Sequence, residues 1–118
     1  MLSFEARESV GYGATWTIGH AGAPVDISGW TFEAMFEREA GAADFWLGSV
    51  ADREEQGFYI HDGPGGQLAV LILPATLQAI DDTTGSFQLY SDLLGTPPGS
   101  PRQFLTTICA TITEGPTP

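Results

Sequence analysis

Apolar and polar side chains alternate with period two along most of this chain, and turn-forming residues interrupt the alternation at intervals of roughly 8 to 15 positions. That pattern predicts half-buried strands in an antiparallel sandwich or barrel. Leu2, Phe4 and Ala6 alternate with Ser3, Glu5 and Arg7 in a first strand, and Gly11 and Gly13 bracket Tyr12 as a turn or bulge. Ala14, Trp16 and Ile18 form one face of a second strand, ATWTIGH, before the loop AGAP and a Ser28–Gly29 turn. In the third strand, Trp30, Phe32, Ala34 and Phe36 face the core, opposite Thr31, Glu33, Met35 and Glu37. Helical spacing would scatter those aromatic residues around an axis, so the strand reading prevails.

Residues 39–44 read as a flexible connection, Phe45 to Ala51 as a fourth strand, and DREEQG (52–57) as a charged turn. A short strand, FYIH, leads into DGPGG (62–66), whose glycines and proline rule out regular structure. Gln67–Leu73 is apolar on both faces, as for a strand central in the core, and Pro74 opens a single helical turn, PATLQAI. After the polar turn DDTTG, Phe87, Leu89 and Ser91 alternate with Gln88, Tyr90 and Asp92. GTPPGSP forms a stiff exposed loop, and the last strand, from about Arg102 to Thr113, places Phe104, Ile108, Ala110 and Ile112 inward with Thr106 among them. The expectation is all-β: one antiparallel β-sandwich, immunoglobulin-like or jelly-roll-like, of seven or eight strands with one short helix. It spans residues 1–118 as a single domain, with 113–118 a flexible tail.

Composition narrows the function classes. A chain of 118 residues can bury about two-thirds of its unfolded surface, enough for a core without metal or disulfide staples. Four arginines, no lysine and fifteen acids leave a net charge of −11. Phosphate-backbone binding needs clustered Lys and Arg, so no nucleic acid is expected as partner, and an anionic membrane surface is disfavoured equally. The acidity reads as solubility and self-repulsion, or as a face for a basic partner. Cys109, the lone cysteine, excludes an intrachain disulfide, and its neighbours Ile108 and Ala110 place it in a strand interior as a small hydrophobe. MLSFEARESVGYG has neither the basic nor the apolar region of a signal peptide. No apolar run approaches the ~20 residues of a membrane helix.

Candidate chemistry is sparse. His20 and His61 are the only histidines, and neither lies beside a nucleophile-elbow pattern. Glu33 and Glu37 share a strand face, but at i and i+4 they stand roughly 13 Å apart, beyond the ~5–10 Å of paired-carboxylate chemistry. Glu37 and Glu39 are closer and run into solvent at a strand end. DGPGG lacks the lysine of a phosphate-binding loop. Asp81–Asp82 with Thr83 and Thr84, or Asp52 with Glu54 and Glu55, could gather oxygen ligands for Ca²⁺, though neither has EF-hand spacing. No catalytic residue, cofactor, resident metal or small-molecule substrate is assigned. Trp46 and Tyr90 fall out of phase with Phe45, Leu47 and Leu89, so they point outward. Outward aromatics in a sandwich are more often subunit interface than carbohydrate platform.

The order of segments resembles small virion proteins of tailed bacteriophages. TWTIGHAGAPVDISGWTFEAMFER is similar to their extended strand, Gly/Pro/Asp turn and alternating strand ending in Arg. GGQLAVLILPATLQAI followed by TGSFQLYSDLL resembles their middle section, and PRQFLTTICATIT their final strand, with Cys109 where the pattern has glycine. The cadence covers about residues 14–113, and the proteins it resembles include the amino-terminal β-sandwich domains of baseplate-upper and tail-fibre-anchoring proteins. The resemblance implies a non-enzymatic virion protein of the tail or baseplate, an adaptor or decorating subunit assembling with itself and other virion proteins. Edge strands open to β-augmentation, together with Trp46, Tyr90 and the loop from Leu94 through Pro97, Pro98 and Pro101, are the expected contacts. A capsid decoration or head–tail connector protein is the structural alternative, and a carbohydrate- or calcium-binding module the alternative of another class.

Overall fold

The computed structural model describes residues 2–20, 23–39, 42–80 and 86–113. These form ten strands and one short helix in the order β1 (Leu2–Arg7), β2 (Tyr12–Thr17), β3 (Gly19–His20), β4 (Ala23–Pro24), β5 (Thr31–Glu39), β6 (Ala42–Gly48), β7 (Gly57–Asp62), β8 (Gln67–Ile72), α1 (Pro74–Gln78), β9 (Phe87–Thr96) and β10 (Gln103–Thr113). One sheet runs β1-β10-β9-β5-β6, a second β2-β8-β7, and β3 with β4 makes a small ribbon. The fold is an all-β sandwich, as the alternation predicts. One pairing departs from the antiparallel expectation: β1 lies parallel to β10, with Leu2 opposite Ile108 and Phe4 opposite Ala110.

The strands form where one set of alternate side chains can leave water. Phe32, Ala34 and Phe36 of β5, Leu89 and Leu93 of β9, and Ile108, Ala110 and Ile112 of β10 turn inward against Leu68, Val70 and Ile72 of β8. Burying a large apolar side chain contributes about 1.5–3 kcal/mol before the cost of ordering the chain. Aromatic rings bridge the two layers. Phe4 of β1 stacks on Tyr12 of β2 at 3.9 Å, and Phe58 of β7 meets both Trp16 and Phe32 at 6.2 and 6.4 Å. Tyr12 Oη accepts the Trp16 indole N–H at 3.0 Å, so burial leaves that donor satisfied.

Two corners join the sheets. Arg7 bridges Gly11 on the β1–β2 side, and Ser49 bridges Phe58 on the β6–β7 side. Gly11 has φ +80°, and a Cβ there would lie 2.4 Å from the Ile72 carbonyl oxygen, so the first corner requires glycine. At the second, Ser49 Oγ accepts the Phe32 N–H at 2.7 Å. Helix α1 buries Leu77 and follows β8 directly. Its start is tied down by Gln56 Oε1, which accepts the Leu73 N–H at 2.9 Å and the Thr76 hydroxyl at 2.6 Å.

Several boundaries differ from the sequence expectation. Gly13 belongs to β2 and Ala23–Pro24 to β4. The β5–β6 hairpin carries strand structure to Glu39 and from Ala42, into the expected connection. Gly95 and Thr96 complete β9 in place of opening the loop, and Thr113 ends β10 in place of starting a tail. β8 is central in its sheet, but Leu73 beyond its end is exposed. The DDTTG turn and residues 114–118 lie outside the described residues.

The largest correction is Phe104, expected inward and found 58% exposed. Along β10, Phe104 pairs with Leu94 and Thr106 with Leu93, so Leu105 is the extra residue of a bulge. A bulge reverses the inward–outward alternation on one side of it. Leu105 therefore packs against the core and Phe104 turns to the outer face.

Candidate functional site

The outer face of the five-stranded sheet is the distinctive surface. Seven large hydrophobic residues are exposed among the described residues, and four of them, Met35, Trp46, Tyr90 and Phe104, stand on this face. Register brings them together. Met35 pairs with Trp46 across β5–β6, Phe104 with Leu94 across β10–β9, and Cys109 with Tyr90 in the same ladder. Because directly paired residues project to the same side, these side chains, here called the strip, share the outer face of β6, β5, β9 and β10. Phe104 and Leu94 lie towards one end, Cys109 and Tyr90 four residues of β9 further along, and Asp92 between them.

In the middle of the strip the β5–β9 ladder lapses. Thr31–Glu33 pair with Leu94–Thr96, pairing stops across Ala34–Phe36, and it resumes in the same register at Glu37 and Tyr90. A shallow depression of about 480 Å³ lies there, walled by Met35, Tyr90, Leu94 and Thr107, rimmed by Glu37 and Asp92, with Ser91 and Ile108 at its base.

Trp46 is held flat against the sheet. A Cβ on Gly48 would come within 2.1 Å of its indole ring, so the ring lies over the bare backbone of Gly48, two residues along the same strand face. Its Nε1–H donates to Glu33 Oε2 at 3.4 Å, while Arg102 donates to Glu33 Oε1 at 2.7 Å. Arg102 thus reaches over β9 from the residue before β10 to β5. Its hydrogen bond, the largest influence, holds the Glu33 carboxyl below the usual carboxylate range against a partial loss of hydration, and the indole N–H adds to it. The Tyr90 hydroxyl donates to Gln88 Oε1.

Of the sequence-predicted contact residues, Trp46 and Tyr90 are exposed on this face and Leu94 is half-buried beside them. Pro97, Pro98 and Pro101 are not part of the strip. They occupy the β9–β10 turn at the end of the sandwich, where the Pro98 ring abuts Gly29. Cys109 lies in a strand interior as expected, yet on the outward side and half-buried. Sequence reasoning assigned Met35 to solvent and missed Phe104. The signal for Phe104 was present: Thr106 fell at an inward position while Leu105 fell at an outward one, a mismatch that a one-residue bulge resolves.

The remaining candidates are dispersed. His61 is exposed on β7, in the other sheet from Cys109, and the His20 side chain lies outside the described residues. Asp52 caps its own turn, accepting the Glu54 N–H at 2.9 Å, and Asp62 accepts the Gly65 N–H at 3.2 Å. Asp81 and Asp82 lie outside the described residues, among which no three His, Cys, Asp or Glu side chains converge as a metal site. Among the described residues no helix is long and apolar enough to cross a membrane. No protein-family model and no curated protein matches this chain.

Proposed function

We propose that this chain is a non-enzymatic assembly protein that works through the outer face of its five-stranded sheet. Following the sequence resemblance, we place it in the tail, baseplate or fibre-attachment region of a tailed-phage virion. The supporting observation is the strip of Met35, Trp46, Tyr90 and Phe104, four large apolar side chains left in water on one face. A folded monomer gains nothing from such exposure, and large apolar side chains exposed together on one sheet face support an interaction surface. Tyr, Trp, Phe and Met are also the residues enriched at interface centres. The sheet edges are the other candidate contacts, and at the corners a single residue pair each, Arg7–Gly11 and Ser49–Phe58, bridges them.

A capsid decoration or head–tail connector role would use the same face. Gold labelling of this chain on purified particles separates the readings: label at the tail tip supports the tail role, label over the head replaces it with decoration, and absence from particles refutes both. One observation favours a carbohydrate-binding module as second reading, namely the Trp46 ring lying flat over Gly48 beside Glu33 and Arg102. In that case Trp46→Ala abolishes glycan binding and leaves assembly intact.

A further inference from the structure

We infer that the Trp46 corner of this face is a binding subsite for one neutral pyranose ring of a glycan. The inference rests on the carbohydrate reading above, to which it gives a ligand class and a set of contacts; the assembly reading stands or falls separately. Geometry carries it. A Cβ on Gly48 would lie 2.1, 2.6 and 2.7 Å from the bonded ring atoms Cη2, Cζ2 and Cζ3 of Trp46. Such similar distances to neighbouring atoms put the Gly48 backbone under the face of the ring, not at its edge. The opposite face is the one in water, with Trp46 54% exposed. Resting on backbone and tied to Glu33 through its Nε1–H at 3.4 Å, the indole is a platform fixed before any ligand arrives.

Polar groups stand beside the platform. A depression of about 230 Å³ there is walled by Thr31, Glu33, Ser49 and Thr96 together with Trp46. That is below the ~300–1,000 Å³ of pockets for drug-sized ligands and suits a single small ring. Thr31 and Thr96 pair across the β5–β9 ladder, each with a hydroxyl that can donate and accept. Glu33 accepts from Arg102 through Oε1 and from Trp46 through Oε2, and each oxygen has a second lone pair. Arg102 spends one of its several N–H donors on Glu33. A pyranose matches this set: a C–H face for the indole, and a rim of hydroxyls that donate to Glu33 and accept from Arg102. Other stacking ligands fit less well. A nucleotide brings phosphate to a chain of net charge −11 with no lysine. A proline-rich peptide offers carbonyls to a donor, and the indole N–H is committed to Glu33. A cation over the ring would meet Arg102, with Glu33 already paired to it at 2.7 Å. The same pairing neutralises Arg102 towards an acidic sugar.

The test is saturation-transfer NMR of the whole chain with cellotriose, maltotriose, lactose and triacetylchitotriose, and with trigalacturonate as the acidic counterpart; calorimetric titration gives the affinities. The expected result is millimolar-range binding of a neutral sugar, with the transferred signal on ring C–H protons, and no tighter binding of trigalacturonate. Trp46→Ala should weaken binding about tenfold or more, the scale of losing one aromatic stack. Gly48→Ala should do the same with the indole still present, because the added methyl group displaces the ring. Tyr90→Ala removes another exposed aromatic of this face and leaves binding unchanged. Circular dichroism checks that each variant folds, and if one does not, the other still answers. Binding that survives Trp46→Ala and Gly48→Ala, or falls equally in Tyr90→Ala, overturns the subsite and leaves the carbohydrate reading in place. Preference for trigalacturonate overturns the neutral class. No binding of any of these sugars at millimolar concentration overturns the subsite and the carbohydrate reading together, and leaves assembly to be judged by particle labelling.

Discussion

The bulge in β10 makes a prediction that opposes simple alternation. Strict period two puts Phe104 inside and Leu105 outside, whereas the structure exposes Phe104 at 58% and packs Leu105 against the core. Truncating a fully buried Phe to Ala costs about 3–5 kcal/mol through lost transfer energy and the cavity left behind. At Phe104 there is no enclosed cavity to leave, so Phe104→Ala should cost no more than about 1 kcal/mol, the span of strand propensity. Leu105 is partly buried, so Leu105→Ala should cost about 1–2.5 kcal/mol, below the full range for a buried leucine. Phe36→Ala, at 0% exposure, supplies the reference for complete burial at about 3–5 kcal/mol. The assay is urea unfolding followed by tryptophan fluorescence, with the three variants compared at equal slope. It must be run at the lowest usable concentration and repeated at a higher one, because self-association stabilises the folded state by mass action. If Phe104→Ala costs more than Leu105→Ala at low concentration, Phe104 is core, the bulge is misplaced, and the strip loses one of its four members.

Two other perturbations test the geometry around the face. Ser49→Ala removes the acceptor of the Phe32 N–H at the β6–β7 corner; stranding a part-buried donor should cost about 1–3 kcal/mol by urea unfolding, and no loss would mean that water replaces the hydroxyl. Glu33 titrates below the ordinary carboxylate range because of Arg102, so its folded value is depressed relative to the unfolded chain. Its stabilising contribution is therefore present above the unfolded pKa and lost as pH falls through the folded one. Unfolding measured down the acid limb should be less pH-dependent in Glu33→Gln than in the wild type, and identical slopes would mean that the Glu33–Arg102 pair does not form in solution.

Much of the architecture was legible in the residue order because side-chain period reports directly on which face of a strand meets water. Trp16, Phe32, Phe36, Leu89 and Ile108 are buried where alternation put them, and Pro74 opens a helix where its fixed φ and missing N–H allow one. The outward aim of Trp46 and Tyr90 was readable for the same reason: each breaks phase with buried neighbours. Tertiary structure alone decided the rest. The parallel pairing of β1 with β10 joins residues at opposite ends of the chain, a contact that no local pattern encodes. Phe104 depends on the bulge at Leu105, and a one-residue insertion reverses facing without changing composition. The prolines of 97–101 read as a stiff exposed loop, and strand pairing places them in the β9–β10 turn, off the strip. Met35, Trp46, Tyr90 and Phe104 become one surface only when strand order places β6, β5, β9 and β10 side by side. Local sequence sets which way a side chain points; which other side chains it points beside is settled by long-range pairing, whose register depends on the whole buried core.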